Sequence, residues 1–188
     1  MASEPEADGN DDLFVFAYGS LIWRPDFPSL AVARAHLHGF HRRMCIYSWV
    51  HRGTQSHPGL VLGMMPGGSC TGLVYRVAAG VREAVLADLM ARECSTDAYV
   101  PIWPVLTTPW GAQRALSFKA NPHSPQYAPR LGLEQMARMI HAARGQSGAN
   151  IDYVEQCHAG LLHIGIRDAG LAALVRALHH HPAPLDRG

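Results

Sequence analysis

Neither sign of charge dominates this sequence: 16 Lys and Arg stand against 15 Asp and Glu, a formal net charge of +1. A chain without a basic excess has no field to draw in a polyanion, so nucleic acid and anionic membrane surfaces are not expected partners. Long apolar runs are lacking too; none approaches the roughly 20 residues that span a bilayer. The cysteines Cys45, Cys70, Cys94 and Cys157 are scattered without a CxxC pair, and no apolar segment with a cleavage site opens the sequence. These absences predict a reduced, cytoplasmic protein. A G-x-S-x-G elbow is also lacking, and Ser20 has no recognisable His-Asp relay, which argues against a serine hydrolase.

What is present is a chain of 188 residues, 48% hydrophobic, enough to close one core. Residues 1–12, MASEPEADGNDD, carry Glu4, Glu6, Asp8, Asp11 and Asp12 with almost no apolar content and read as an acidic tail. A single domain is expected over residues 13–178, followed by a polar tail at 179–188. Runs rich in β-branched and aromatic residues follow Leu13: LFVFAY, RRMCIYSWV, LVLGMM, TGLVYRV, VPIWPVLTT and RALSFKA. HRGTQSHPG (51–59) and MPGGSC (65–70) read as turns between antiparallel neighbours.

Helical spacing enters at 81–94 and returns three times. Leu133, Met136, Ala137 and Ile140 share one face; so do Tyr153, Cys157, Leu161 and Ile164, behind a cap at Asn150 or Asp152. A last helix starts after Asp168 and presents Leu171, Leu174, Val175 and Leu178. Strands that cluster before helices predict an α+β fold with an antiparallel or barrel-like sheet, not alternating βαβ units.

One carboxylate stands out against this frame. At ~100° per residue from Val81, the apolar residues Val85, Leu86, Leu89 and Met90 centre a face near ~110°, and Glu93 falls at ~120°. Asp88 and Glu83 fall off that centre. A buried carboxylate raises its pKa or finds partners, and a raised pKa suits a general base and acid working near neutral pH. The same periodicity also fits a helix ending at Arg92 with Glu93 turned to solvent, or an ion pair from Arg92 or Arg42.

A second feature is Tyr18-Gly19-Ser20-Leu21, where an apolar strand breaks at glycine and a hydroxyl. A strand ending this way exposes consecutive amides that suit a carboxylate or oxyanion, with Ser20 adding a hydroxyl and Tyr18 a phenolic wall. A turn with a structural serine has the same signature. The twelve histidines include His36, His38 and His41 in HLHGFH and a tract at His179–His181, but neither has zinc-site spacing, and no metal is expected. Cys94 reads as a small buried thiol. Trp23, Tyr47, Trp49, Trp103 and Trp110 are expected in the interior, because no basic stripe accompanies them for stacking on bases.

The segments FVFAYGSLIWRPDFP, HRGTQSHPG, TGLVYRV, ARECSTDAYVPIW, NPHSPQY and GANIDYVEQCHAGLLHIGIRDAGLAALV, in that order and spacing, resemble the ChaC-type γ-glutamylcyclotransferases over about residues 13–178. The resemblance implies a small mixed or antiparallel β-barrel flanked by helices, no cofactor or metal, and conversion of glutathione to 5-oxoproline and cysteinylglycine. It implies that Glu93 is the catalytic glutamate and that Tyr18, Gly19, Ser20 and Leu21 form the ligand loop. It further assigns Arg52, Tyr99 and Tyr127 to substrate. Ala91 and Ala98 depart from the family pattern, where a larger polar residue and a glycine are common. Cyclisation of other γ-glutamyl amines, or ligand binding without catalysis, are the alternatives; the oligomeric state is left open.

Overall fold

The run Leu13–Ala17, apolar at every position, forms β1, and each of its side chains is buried in a computed structural model that describes residues 11–180. Such a strand is continuously apolar because it is covered on both faces, so no alternation survives. Along one edge β1 pairs antiparallel with β3 (Gly59–Val77), from Leu13 opposite Val77 to Ala17 opposite Leu73. Along the other, the Phe16 N–H donates to the Leu116 carbonyl and the Leu116 N–H donates to the Phe14 carbonyl, both at 2.8 Å. The end of β1 is thereby held from two sides.

The remaining strands are β2 (Ala31–Ser48), β4 (Tyr99–Ile102), β5 (Val105–Thr108), β6 (Gly111–Arg114), β7 (Ser117–Ala120), β8 (Arg144–Gly145) and β9 (Gly148–Ala149). One sheet runs in the order β1-β3-β2-β5-β6; β4 pairs with β7 and β8 with β9. β1 and β3, β2 and β5, β4 and β7, β5 and β6, and β8 and β9 pair antiparallel, and an isolated bridge between Val15 and Leu116 is parallel. The helices are α1 (Arg82–Glu93), α2 (Leu133–Ala142), α3 (Asn150–His163) and α4 (Ala169–His180). The α+β class and each expected helix are borne out, and HRGTQSHPG does connect β2 to β3.

The chain divides into two compact units. The first holds the described residues up to Arg43 together with Gly63–Pro125, hence β1, α1 and β4–β7; the second holds Met44–Leu62 and the described residues from Gln126, hence α2–α4 and the β8–β9 pair. The long strands β2 and β3 contribute residues to both. In the second unit α2, α3 and α4 pack on one another; His141 Nε2 donates to the Leu178 carbonyl at 2.9 Å, and His179 lies 2.9 Å from Glu155.

Several expectations are corrected. MPGGSC is no turn between strands: Gly67 and Gly68 take the left-handed φ of turn glycines, +95° and +70°, yet the chain stays within β3, as at a bulge. His41 Nδ1 meets the Gly67 carbonyl there at 2.8 Å. Asn150 does not cap α3. Its side chain accepts from the Leu60 N–H at 2.6 Å and donates to the Leu60 carbonyl at 2.9 Å, wholly buried, because β3 offers both backbone groups where the helix begins. Asp168 does behave as a cap, accepting from the Leu171 N–H at 2.9 Å. Residues 1–10 and 181–188 of the expected tails lie outside the described residues. Of the rest, Asp12 is tied by Arg76 Nε at 2.6 Å and the Ala79 N–H at 3.0 Å, and α4 continues through His179 and His180.

Candidate active site

Beyond β1 the chain enters a single 3₁₀ turn, Ser20–Ile22, with Gly19 as its first flanking residue. The Ile22 N–H donates to the Gly19 carbonyl at 3.0 Å, and the Ser20 carbonyl accepts from Trp23 and Arg24. In a turn of this kind the opening amides, here those of Ser20 and Leu21, have no acceptor within the turn. Two anchors keep the turn in place. Leu21 is buried, and its carbonyl accepts from the Tyr75 hydroxyl of β3 at 2.9 Å. Behind it Gly72 lies so close to the end of β1 that a Cβ would strike the Ala17 carbonyl and the Phe16 ring. The buried Trp23 indole N–H has no hydrogen-bond partner among the described residues.

Helix α1 buries Val85 and Leu89 and ends at Glu93, so 85, 89 and 93 fall on one stripe at i, i+4, i+8 spacing. The helix does not stop at Arg92: the Cys94 N–H donates to the Met90 carbonyl at 2.9 Å and closes the last turn around Glu93. Only 17% of the Glu93 side chain is exposed. Burial raises its pKa above the ordinary carboxylate value, against the opposing pull of the Arg92 cation. Its place at the negative end of the helix dipole disfavours the anion as well.

Arg92 connects this carboxylate to the turn. Its Nε lies 3.2 Å from Glu93 Oε1, and its Nη2 donates to the Ser20 hydroxyl oxygen at 3.4 Å. Nη1 donates to the Arg24 carbonyl at 3.2 Å and to Asp26 Oδ2 at 3.3 Å. The two sequence features, a carboxylate on a buried stripe and a broken strand, therefore meet on one guanidinium. Glu93 is both half of an ion pair and a buried acid. Cys94 is partly buried rather than fully so; burial, and then the neighbouring Glu93 charge, raise its thiol above the ordinary value, which keeps it protonated and a poor nucleophile.

Tyr18 is buried at the end of β1, and half-buried Tyr99 opens β4 opposite Ala120 of β7; both belong to the first unit. Arg52 and Tyr127 belong to the second. Arg52 is 9% exposed; its Nη1 donates to the Ala149 carbonyl at 3.1 Å, its guanidinium lies 5.7 Å from the Tyr153 ring centre, and its N–H donates to the Ser48 hydroxyl at 3.0 Å. These contacts brace the turn after β2 against the β8–β9 hairpin. Tyr127 is half-buried and bridges Ile46. Arg92 and Asp26 complete the site without a strong local signal of their own: in the sequence Arg92 stands out only as a possible partner of Glu93, and Asp26, in RPDFP, lies in no periodic pattern. The histidines of HLHGFH serve locally, with His36 against the His38 ring at 4.5 Å and His36 Nδ1 2.9 Å from the Thr71 hydroxyl.

Residues 13–181 match the family model described as ChaC-like protein. A glutathione-specific γ-glutamylcyclotransferase of Escherichia coli (strain K12) is 33% identical over 164 residues, covering 87% of this chain and 71% of that protein. Glutathione-specific γ-glutamylcyclotransferase 1 of Homo sapiens is 32% identical over 186 residues, covering 94% and 83%. A crystal structure of a yeast γ-glutamyl cyclotransferase specific to glutathione shares the fold, with a TM-score of 0.80 at 21% identity over 92% of this chain and 99% of that one. The family match spans nearly the whole sequence and the relatives agree with it: this chain belongs to the ChaC-like protein family.

Proposed function

We propose that this protein is a lyase, a γ-glutamylcyclotransferase that acts on glutathione and releases 5-oxoproline and cysteinylglycine. The observation that carries the reading is the Glu93 carboxylate, mostly buried, raised in pKa and one guanidinium away from the Ser20 hydroxyl. The names of the relatives support glutathione as the substrate, and the resemblance carried by the AYGSL and ARECST segments of this sequence supports the residue roles.

The chemistry needs no outside nucleophile. The α-amine of the glutamyl group bends back and its nitrogen forms a bond to the γ-carbonyl carbon; the amide bond from that carbon to the cysteine nitrogen then breaks. Two protons leave the ammonium as it becomes a lactam N–H, and two reach the departing nitrogen as it becomes an ammonium. Glu93 takes the first proton and hands it to the leaving nitrogen, so one carboxylate serves both directions. A raised pKa fits this double duty, because the group must accept and then release at nearly the same pH. The Ser20 and Leu21 amides bind the substrate α-carboxylate or the developing oxyanion, with Tyr18 and Tyr99 as walls. Roles for Arg52 and Tyr127 rest on the motif match, not on their present contacts. Holding the glutamyl chain bent accounts for a further share of the rate.

The family match runs through residues of both units, which supports treating 13–178 as one catalytic domain. All four cysteines are free, with Cys45, Cys70 and Cys157 buried, as suits a reducing compartment such as the cytoplasm. Among the described residues no helix is long and apolar enough to cross a membrane.

Incubation with glutathione and chromatographic detection of both products tests the reading. Glutathione disulfide and simple γ-glutamyl amino acids, run alongside, define the leaving group. No turnover of any γ-glutamyl compound by folded protein would leave only a binding role.

A further inference from the structure

Arg92 makes contacts that its own helix cannot provide. Adjacent helical side chains diverge by about 100°, so Arg92 reaches Glu93 only by folding its guanidinium across the end of α1. A long, partly exposed arginine has many competing rotamers, and something outside the helix must select this one. Three acceptors from the segment after β1 do so: the Ser20 hydroxyl, the Arg24 carbonyl and Asp26 Oδ2. Asp26 is in turn fixed by Arg24 Nε at 2.8 Å. It is also the one non-glycine among the described residues with a left-handed backbone, at φ +58°. Uncommon backbone conformations of this kind cluster where geometry serves function. With 53% of its side chain exposed, Asp26 adds little to stability through its ion pairs. What the arrangement delivers is orientation.

We propose that Asp26 is a positioning residue for the reaction: acting only through Arg92, it holds the Glu93 carboxylate in register with the Gly-Ser turn. This rests on Glu93 being the base. Among the described residues, Glu93 interacts with the Arg92 guanidinium of α1 and with the thiol of Cys94, which follows the helix, and Arg24 and Asp26 of the loop are joined to it through Arg92. Asp26 neutralises part of the Arg92 charge. Removing Asp26 leaves a stronger cation beside Glu93 and makes it a weaker base; removing Arg92 does the opposite.

The experiment measures kcat, KM and the pH dependence of kcat/KM with glutathione for Asp26→Asn, Asp26→Gly, Arg92→Met, Arg92→Lys and the double variant Asp26→Asn/Arg92→Met. Asn and Gly both accept the left-handed backbone, so a role confined to the turn predicts no change from either. The expected result is a loss of about 10- to 100-fold in kcat for both Asp26 variants with KM little altered. The acid limb moves to lower pH in Asp26→Asn and to higher pH in Arg92→Met. Asp26→Asn has no further effect in the Arg92→Met background. Arg92→Lys, which keeps the charge but loses the planar fork, lowers kcat without the upward shift, and with the Asp26 variants it carries the test if Arg92→Met does not fold. Wild-type kcat with an unmoved limb in both Asp26 variants overturns the inference, as does an Asp26→Asn loss that persists undiminished when Arg92 is absent. Full turnover by Glu93→Gln instead overturns the base assignment itself, which separates the two failures.

Discussion

The Tyr75 hydroxyl donates to the Leu21 carbonyl at 2.9 Å, tying the C-terminal end of β3 to the turn that follows β1 across 54 positions of sequence. Tyr75 also meets the Phe27 ring edge-on at 5.2 Å, so one buried side chain steadies both ends of the segment that carries Ser20 and Arg24. Burial raises its pKa above the ordinary phenol value of 10.0, which keeps the donor in place at any physiological pH. Tyr75→Phe removes the hydroxyl and leaves a buried carbonyl unsatisfied, a cost of about 1 to 3 kcal/mol in urea unfolding. Because the folded pKa is raised, the stability contributed by the neutral phenol is full below the unfolded value. It is lost as pH rises through the folded one, so wild type weakens in strong alkali by a route the variant lacks.

Glu93→Gln preserves shape but cannot take a proton. Turnover of glutathione is expected to fall by about 10² to 10⁴-fold while circular dichroism stays unchanged. Stability moves the other way. The folded state binds the Glu93 proton more tightly than the unfolded chain does, so the favourable contribution of the protonated acid is present below the unfolded pKa of 4.5. It is lost as pH rises through the raised folded value. As pH rises past the ordinary carboxylate value, wild type therefore loses stability by a route the neutral amide lacks, and at neutral pH the variant should melt higher. The advantage should vanish as pH falls below the ordinary carboxylate range.

The acid limb of kcat/KM in the wild-type protein should lie above the ordinary carboxylate range, because burial outweighs the Arg92 cation at Glu93. A limb at or below that range would show that Arg92 dominates in solution. High salt, which screens the more exposed Arg92, should move the limb slightly further upward.

Gly72→Ala places a methyl group where the Ala17 carbonyl and the Phe16 ring already sit. Neither is free to yield, since β1 is hydrogen-bonded along both edges. Overpacking of this kind costs about 1 to 3 kcal/mol, readable as a lower thermal midpoint. Activity should fall further than the folded fraction does, because the displaced strand end leads directly into Gly19 and Ser20.

Asn150→Ala strips both hydrogen bonds from Leu60 in a fully buried place. With two backbone groups left unsatisfied, a loss of about 2 to 5 kcal/mol is expected in chemical denaturation. Asn150→Asp tests the same contact differently: it keeps the acceptor for the Leu60 N–H but sets an oxygen against the Leu60 carbonyl, and should destabilise more at neutral pH than in acid.

Much of this molecule was legible before folding was considered. The four helices and the placing of Glu93 on the stripe of Val85 and Leu89 follow from a 3.6-residue period, which is written into neighbouring positions. The buried run of β1 and the cap at Asp168 are equally local. Where reading failed, a local pattern had two outcomes. A glycine pair suits a turn or a bulge, and Gly67 and Gly68 became the latter because β3 continued to find pairing partners on both sides of them. An asparagine ahead of a helix suits a cap, but Asn150 found a stronger bidentate partner 90 positions away.

The order of periods, breaks and apolar runs along the chain thus determined which elements form, and which carboxylate would be carried inward. Only the tertiary structure decided what that carboxylate meets: Arg92 bent across the helix end, Asp26 at a backbone angle no periodicity reveals, and Ser20 on the far side of the same guanidinium. The physical reason is range. Helix and strand preferences act over a few residues, whereas the charge and hydrogen bonds that set a site's chemistry join groups about 70 positions apart, and these exist only once the chain has closed on itself.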